Sequence, residues 1–203
     1  MMPQLIWRID GDDPIIYLTF DDGPIPEVTP WVVDQLSLFN AKATFFCVGD
    51  NVYKHPDIYS LLLENGHSVG NHTYNHISGW SNLRGDYISN INKASDYIDS
   101  NLFRPPYGRI TPLKFRSIRE QYQVIMWDVL SGDFDGRIDP EICLQNVIKN
   151  TKAGSIIVFH DSLKAKKNLE YCLPRVLEHF TLQGYEFAAL KSQKVSALNK
   201  ALI

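Results

Sequence analysis

Two carboxylates stand side by side, Asp21-Asp22, just ahead of Gly23-Pro24. Adjacent carboxylates repel unless a cation or a proton neutralises one of them. The ordinary use of Asp before Gly-Pro is a turn or a helix cap. Farther on, His72 and His76 lie four residues apart, which on a helical turn puts both imidazoles on one face. That is a metal-ligand spacing, but Thr73-Tyr74 stand where HExxH would carry its Glu, so a zincin base is missing. Asp22, His72 and His76 together would make a three-ligand site with open positions, the mark of a catalytic rather than a structural ion. A mixed N/O set of this kind suits Zn²⁺, Co²⁺, Ni²⁺ or Fe²⁺. His160 follows a run of apolar residues, and its unperturbed pKa near ~6.5 suits proton donation. Arg104, stiffened by Pro105-Pro106, offers a planar fork for a carboxylate. Asp128 and Asp133 follow the apolar stretch 124–127. Taken singly, each has a bland reading: a turn acid, two loop histidines, a surface ion pair, a satisfied core histidine.

The elements that must position these side chains decide the matter. Apolar, β-branched runs at 15–20, 43–48, 67–70, 102–104, 124–127, 155–159 and 185–189 read as strands. Between them, Trp31, Leu36 and Phe39, then Ile58, Leu61 and Leu62, then Tyr87, Ile91, Ala94 and Ile98, and then Leu173, Val176, Leu177 and Phe180 recur at helical spacing, with Gly184 as a stop. Residues 5–9, turning through Asp10-Gly11-Asp12, predict a short N-terminal hairpin. Such alternation implies βαβ units and a parallel sheet. An eight-fold barrel needs ~250 residues, so a 203-residue chain suits a smaller barrel or an open doubly wound sheet. No GxGxxG or GxxxxGK[ST] follows the first strand, which removes the main support for nucleotide binding. In parallel α/β folds active sites gather at the C-terminal strand ends. Five such ends here carry titratable or metal-binding side chains, a coincidence stronger than any one motif.

Composition narrows the classes further. Twenty basic residues against 23 acidic ones give a net charge of −3, without the basic excess of a nucleic-acid binder. The apolar runs are too short to cross a bilayer, and the first residues show no signal-peptide pattern. The three cysteines, Cys47, Cys143 and Cys172, form neither a CxxC pair nor a disulfide framework. The default expectation is a cytoplasmic, reducing location, with envelope or extracellular action left open.

These residues resemble the polysaccharide deacetylases of the NodB-homology type, carbohydrate esterase family 4. TFDDGP at 19–24, HTYNH at 72–76, RPPYG at 104–108 and KATFF at 42–46 occur in the family's order, and the likeness runs through nearly the whole chain. It implies a single domain over 1–203, a distorted (β/α)7 TIM-like barrel. It implies Asp21 as base, Asp22, His72 and His76 as metal ligands, Arg104 orienting Asp21, the Tyr107 backbone N–H binding the oxyanion, and His160 as general acid tuned by Asp133. Zinc is the expected ion, with cobalt or nickel as substitutes. Two motifs depart from the pattern. Where the family reads D-x-x-D-W, residues 130–134 read LSGDF, so Leu130 and Phe134 replace the first Asp and the Trp. Val158 replaces the Leu of L-x-H. Phe134, Val158 and Pro106 are expected beside the substrate, and Asp128 ranks below Asp133.

The resemblance implies hydrolytic deacetylation of an N-acetylated amino sugar in an oligo- or polysaccharide, with the acetylated carbohydrate as the partner. Rival readings are an O-acetyl xylan esterase or cyclic amide hydrolase on the same scaffold, a catalytically inactive carbohydrate-binding module using Trp80 or Tyr107, and a purely structural protein.

Overall fold

The computed structural model describes residues 5–191. In chain order the elements are β1 (Leu5–Ile6), β2 (Ile15–Asp21), α1 (Thr29–Leu38), β3 (Thr44–Cys47), α2 (Gly49–Lys54), α3 (Pro56–Glu64), β4 (Ser68–Asn71), α4 (Arg84–Ser95), β5 (Leu102–Phe103), a 3₁₀ turn (Pro106–Gly108), α5 (Pro112–Ile118), β6 (Gln123–Ile125), β7 (Val129–Leu130), α6 (Pro140–Asn150), β8 (Ile156–His160), α7 (Lys166–Leu182) and β9 (Glu186–Phe187). The strands run parallel in the order β1-β6-β5-β4-β3-β2-β8-β7, with β9 added to β2. The sheet curls into a half-barrel with helices outside. All seven expected strands are present; β1 falls in the first arm of the expected hairpin, and β7 is a short addition.

The expected N-terminal hairpin is corrected. β1 does not fold back on β2; it lies parallel to β6, with Leu5 opposite Val124 and Ile6 opposite Ile125. Packing decides this: Leu5 joins the apolar cluster around Phe103, and Ile6 packs on the barrel interior beside Ile125. The segment through Gly11 is an open connection, tied down by the antiparallel bridge of Arg8 to Ser155, the Ile9 N–H donating to the Gly154 carbonyl (2.9 Å) and the Arg8 guanidinium donating to the Ala153 carbonyl.

Helix starts follow from proline. Pro30, Pro56, Pro112 and Pro140 stand in the first turns of α1, α3, α5 and α6, where a missing N–H costs nothing and the fixed φ is already helical. At α6 the Asp139 side chain also accepts the Glu141 N–H.

The period of two along each strand separates core from site. Ile16, Leu18 and Phe20 of β2, Phe45 and Cys47 of β3, Val69 of β4, and Ile157 and Phe159 of β8 join the apolar layer under the helices. There the Phe20 ring stacks on Phe45 and Phe159, with centroids 5.0 and 6.0 Å away. The alternate residues face the barrel interior, where Phe46, Leu102, Ile125 and Ile156 cluster. Thr19, Asp21, His72, Arg104, Val158 and His160 fall on that inward phase. Gly70 is required beside it, because a Cβ there would lie 2.5 Å from the Phe46 ring.

Candidate active site

Asp21 ends β2 and pairs in register with His160, which ends β8. Asp22 follows at φ 86°, turned out of the strand by the Asp-Gly-Pro bend. Asp161 fixes that bend: its Oδ1 accepts the Gly23 N–H (3.0 Å), its Oδ2 accepts the Thr29 hydroxyl (2.6 Å), and its own N–H donates to the Asp21 carbonyl (3.0 Å). Burial and the nearby Asp22 charge push the Asp161 pKa up to about 8 despite those bonds.

His72 and His76 do come together, but not on a helix. They sit in the loop after β4, where Thr73 and His76 hold positive φ of 66° and 54°. The Asn71 side chain accepts the Thr73 N–H, and Asn90 Oδ1 accepts the N–H groups of Tyr74 and Asn75. Side-chain anchoring of a loop replaces the regular helical repeat, which is why spacing alone suggests the wrong backbone. The ring centroids end 5.0 Å apart.

One ligand atom from each of Asp22, His72 and His76 falls within 4.8 Å of the others. Asp22 Oδ1 lies 3.2 Å from His76 Nε2 and 3.8 Å from His72 Nε2, and it is buried without a hydrogen-bond partner. A buried carboxylate oxygen in that condition is costly unless a cation meets it. His72 Nδ1 is 2.8 Å from the Arg104 carbonyl. A carbonyl only accepts, so the proton is on Nδ1 and the lone pair on Nε2 faces Asp22, the arrangement typical of a ligating imidazole. Burial holds the His72 pKa near 4, which keeps the ring neutral. Burial raises the Asp22 pKa, but the contact with His76 and the fields of the histidines bring it down to about 2. The donor set therefore fits a divalent cation.

Two side chains flank this triad. Asp21 is buried; its Oδ1 accepts from Arg104 Nη1 at 2.8 Å, and its Oδ2 lies 3.9 Å from His72 Nε2. The wholly buried Arg104 guanidinium also donates to Thr19 Oγ1 and to the carbonyls of Ile125 and Met126, and it stacks 4.2 Å over the Phe46 ring. His160 Nδ1 donates to Asp133 Oδ1 (2.8 Å), and the His160 backbone N–H donates to Asp133 Oδ2 (2.7 Å). Burial lowers the His160 pKa, but Asp133 and the carboxylates of Asp21 and Asp22 overcome it and raise it to about 9.

Asp21, Asp22, His72, His76, Tyr107, Phe134, Val158 and His160 all line one cavity of about 510 Å³, joined there by Trp127, Leu130, Ser162 and Lys164. Phe134 packs edge-on against His160, and Tyr107, at φ 61°, against His76. Pro106 is not on the cavity wall; it is buried at the start of the turn that presents Tyr107. Asp128 lies outside the site, its carboxylate accepting from the Ile156 N–H and the Ser155 hydroxyl.

Sequence reasoning gave no role to Thr19, Ser131 or Asp161. Ser131 donates to Asp133, and Thr19 helps hold Arg104. Thr19 had a visible signal, lying two residues before Asp21 and so on the same strand face. Ser131 lies two residues from Asp133, but a serine at that spacing in a loop carries no pattern of its own; Asp161, beside His160 in sequence, acts across strands on Gly23 and Thr29.

Known proteins resemble this chain in sequence and fold. The family model for polysaccharide deacetylase matches residues 8–125. A peptidoglycan-N-acetylglucosamine deacetylase of Bacillus cereus is 33% identical over 191 residues, covering 91% of this chain and 90% of that protein. A chitooligosaccharide deacetylase of Azorhizobium caulinodans is 33% identical over 163 residues, covering 76% and 77%. The crystal structure of the Bc1960 peptidoglycan N-acetylglucosamine deacetylase superposes with a TM-score of 0.86 at 28% identity, over 92% of this chain and 91% of that one. With a family model over more than half its length and relatives matched nearly end to end, this chain belongs to the polysaccharide deacetylase family.

Proposed function

We propose that the protein hydrolyses the acetamide of an N-acetylated amino sugar, N-acetylglucosamine within an oligo- or polysaccharide, to acetate and the free amine. The observation that carries this reading is the convergence of Asp21, the Asp22–His72–His76 triad and His160 on one cavity. The amino-sugar substrate is supported by what the relatives are called.

Asp22, His72 and His76 would hold a divalent cation, zinc first, with cobalt or nickel as substitutes. When bound, such an ion polarises the acetyl carbonyl and acidifies water at its open positions. Asp21, pinned by Arg104, accepts the proton of the attacking water as its oxygen bonds to the carbonyl carbon. The Tyr107 backbone N–H donates to the carbonyl oxygen as negative charge builds there; one such donor is worth roughly 3–4 kcal/mol in a dry site. His160 then gives its Nε2 proton to the nitrogen as the C–N bond breaks, because an amide anion is not a viable leaving group. Its proton is in place at neutral pH because its pKa is raised to about 9. Leu130, Phe134 and Val158 offer an apolar wall for the acetyl methyl group. Action at the cell envelope is in keeping with a relative named for peptidoglycan, and among the described residues no helix is long and apolar enough to cross a membrane.

The test is acetate release from chitooligosaccharides and from acetylated xylan. It uses metal-stripped protein with Zn²⁺, Co²⁺ or Ni²⁺ restored singly, beside His72→Ala. Metal-dependent release from the chitooligosaccharides, lost in the variant, is expected. Release from xylan alone would move the substrate to O-acetyl groups, and release without metal would overturn the role of the triad.

A further inference from the structure

Asp133 lies on the connection between β7 and α6, and its carboxylate receives both the ring N–H and the backbone N–H of His160. Two bonds to one histidine stay aligned only if the carboxylate keeps its place to within about 0.5 Å. The backbone under it is held from α7. Asn168, in the first turn of that helix, is 2% exposed. Its Nδ2 donates to the Asp133 carbonyl (3.0 Å) and to the Asp135 carbonyl (3.2 Å). Both partners can only accept, so the NH2 end of the amide must face them. Asn168 Oδ1 is left buried with no protein partner. An amide with an unmet buried oxygen is a poor stabiliser, because nothing offsets the loss of water at that oxygen. An apolar side chain would carry no such cost. What the asparagine supplies instead is a grip on two carbonyls of the loop.

The pieces close a ring. β8 ends at His160, the chain runs on into α7, Asn168 reaches the loop that carries Asp133, and Asp133 returns to His160. The stretch between His160 and Asn168 is itself fixed, since Asp161 and Ala165 are wholly buried and Asp161 is bonded to Gly23 and Thr29. A second tie comes from α6, where Asn146 Nδ2 donates to the Ser131 carbonyl (3.1 Å). That tie acts two residues away; Asn168 acts on Asp133 itself.

We propose that Asn168 is a positioning residue for the general acid, fixing the Asp133 loop so that the carboxylate meets the His160 ring and keeps its Nε2 proton aimed at the leaving nitrogen. A carboxylate in this place sets both the tautomer and the orientation of an imidazole. The proposal rests on the reading of His160 as the acid of the deacetylation above. The charged groups around His160 are Asp133 from the β7–α6 loop, Asp21 and Asp22 from the end of β2, and Lys164 across the cavity; Asp161 is turned away to Gly23 and Thr29. Of these, Asn168 bonds to Asp133, so a change in the titration of His160 in an Asn168 variant reports on that contact.

The test uses the zinc-loaded protein and Asn168→Ala, with Asn168→Ser as the smaller cut should alanine disturb folding. kcat and KM for acetate release from chitooligosaccharides are followed through the alkaline limb, and the His160 ring is titrated by nitrogen NMR. In the Asn168 variants the limb and the NMR midpoint should both move down by about one unit, as a weakened hydrogen bond between charged groups implies. kcat at neutral pH should fall about 10-fold, part of the roughly 10²–10⁴ that a positioned acid supplies, with KM and zinc affinity unchanged. Val176→Ala, a cut in the buried face of the same helix, should lose stability without moving the profile. If Asp133→Asn shifts the profile and the Asn168 variants match the parent, the positioning role is overturned. No shift in any of them would remove the role from Asp133 and Asn168 together. Absence of acetate release by the parent would instead bring down the amino-sugar reading, and the NMR midpoint would still decide whether Asn168 holds Asp133 to His160.

Discussion

Arg104 is the largest side chain fully enclosed by the barrel, and four of its contacts are hydrogen bonds to Thr19, Asp21, Ile125 and Met126. Removing one partner of a buried ion pair leaves the other charge without compensation, at a cost of about 3–5 kcal/mol. Arg104→Met should therefore lower the unfolding free energy by that amount, read from urea titration, besides abolishing turnover; Arg104→Lys should rescue little, since an ammonium cannot span the same fork. His160 gives a different signature. A histidine whose folded pKa is raised to about 9 keeps its proton below that value and loses it as pH rises through it. Acetate release should hold steady from neutral pH and fall above about 9. In Asp133→Asn the carboxylate that does most to oppose the effect of burial is gone, so the falling limb of kcat should move to lower pH. A pH profile unchanged in Asp133→Asn would show that Asp133 does not tune the acid.

Between elements, the β8 end holds the β2 end. Asp161 accepts from Gly23 and Thr29, and a Cβ on Gly23 would sit 1.9 Å from its Oδ2. Gly23→Ala should force this carboxylate aside and release the bend that aims Asp22. The expected outcome is a loss of about 1–3 kcal/mol, as for overpacking elsewhere, with Zn²⁺ affinity by calorimetric titration reduced at least tenfold. Full affinity in Gly23→Ala would show that the triad does not depend on the bend. The cap of α6 gives a milder prediction: Asp139→Ala loses one N-terminal hydrogen bond, about 1 kcal/mol, read from thermal unfolding with turnover preserved. Element legibility followed length only in part. The apolar repeats of α1, α3, α4 and α7 could be read from the chain, and α2 and α5, at 6 and 7 residues, hold too few turns to show a period. The 11-residue α6 was missed although Cys143, Leu144 and Val147 are buried at helical spacing, because only three of its residues face the core. β7, at two residues, had no pattern to read.

At the level of the whole molecule, folding traps a neutral histidine away from the site. His67 is 6% exposed, its Nδ1 accepts the Ala43 N–H, and its ring meets Phe45 edge-on. Burial, helped by the charge of Lys42, lowers its pKa to about 4. Its contribution to stability is complete above the unfolded value of ~6.5 and is lost as pH falls through about 4, because the unfolded chain then binds the proton first. Urea midpoints should drop between pH 7 and pH 4, and His67→Gln should show a smaller drop; equal drops would assign acid sensitivity elsewhere. The barrel itself was largely written in the chain: strand-helix alternation fixes parallel βαβ units, and the period of two places Asp21, Arg104 and His160 on inward phases. Local sequence carries those features because each depends on residues only a few positions apart. Tertiary structure alone decided the rest. The parallel seat of β1 on β6, the looped rather than helical approach of His72 and His76, the placing of Pro106 behind the cavity wall, and the hold of Asp161 on Gly23 all depend on groups distant in the chain. Their energies exist only once the strands are laid side by side, so no local pattern could announce them.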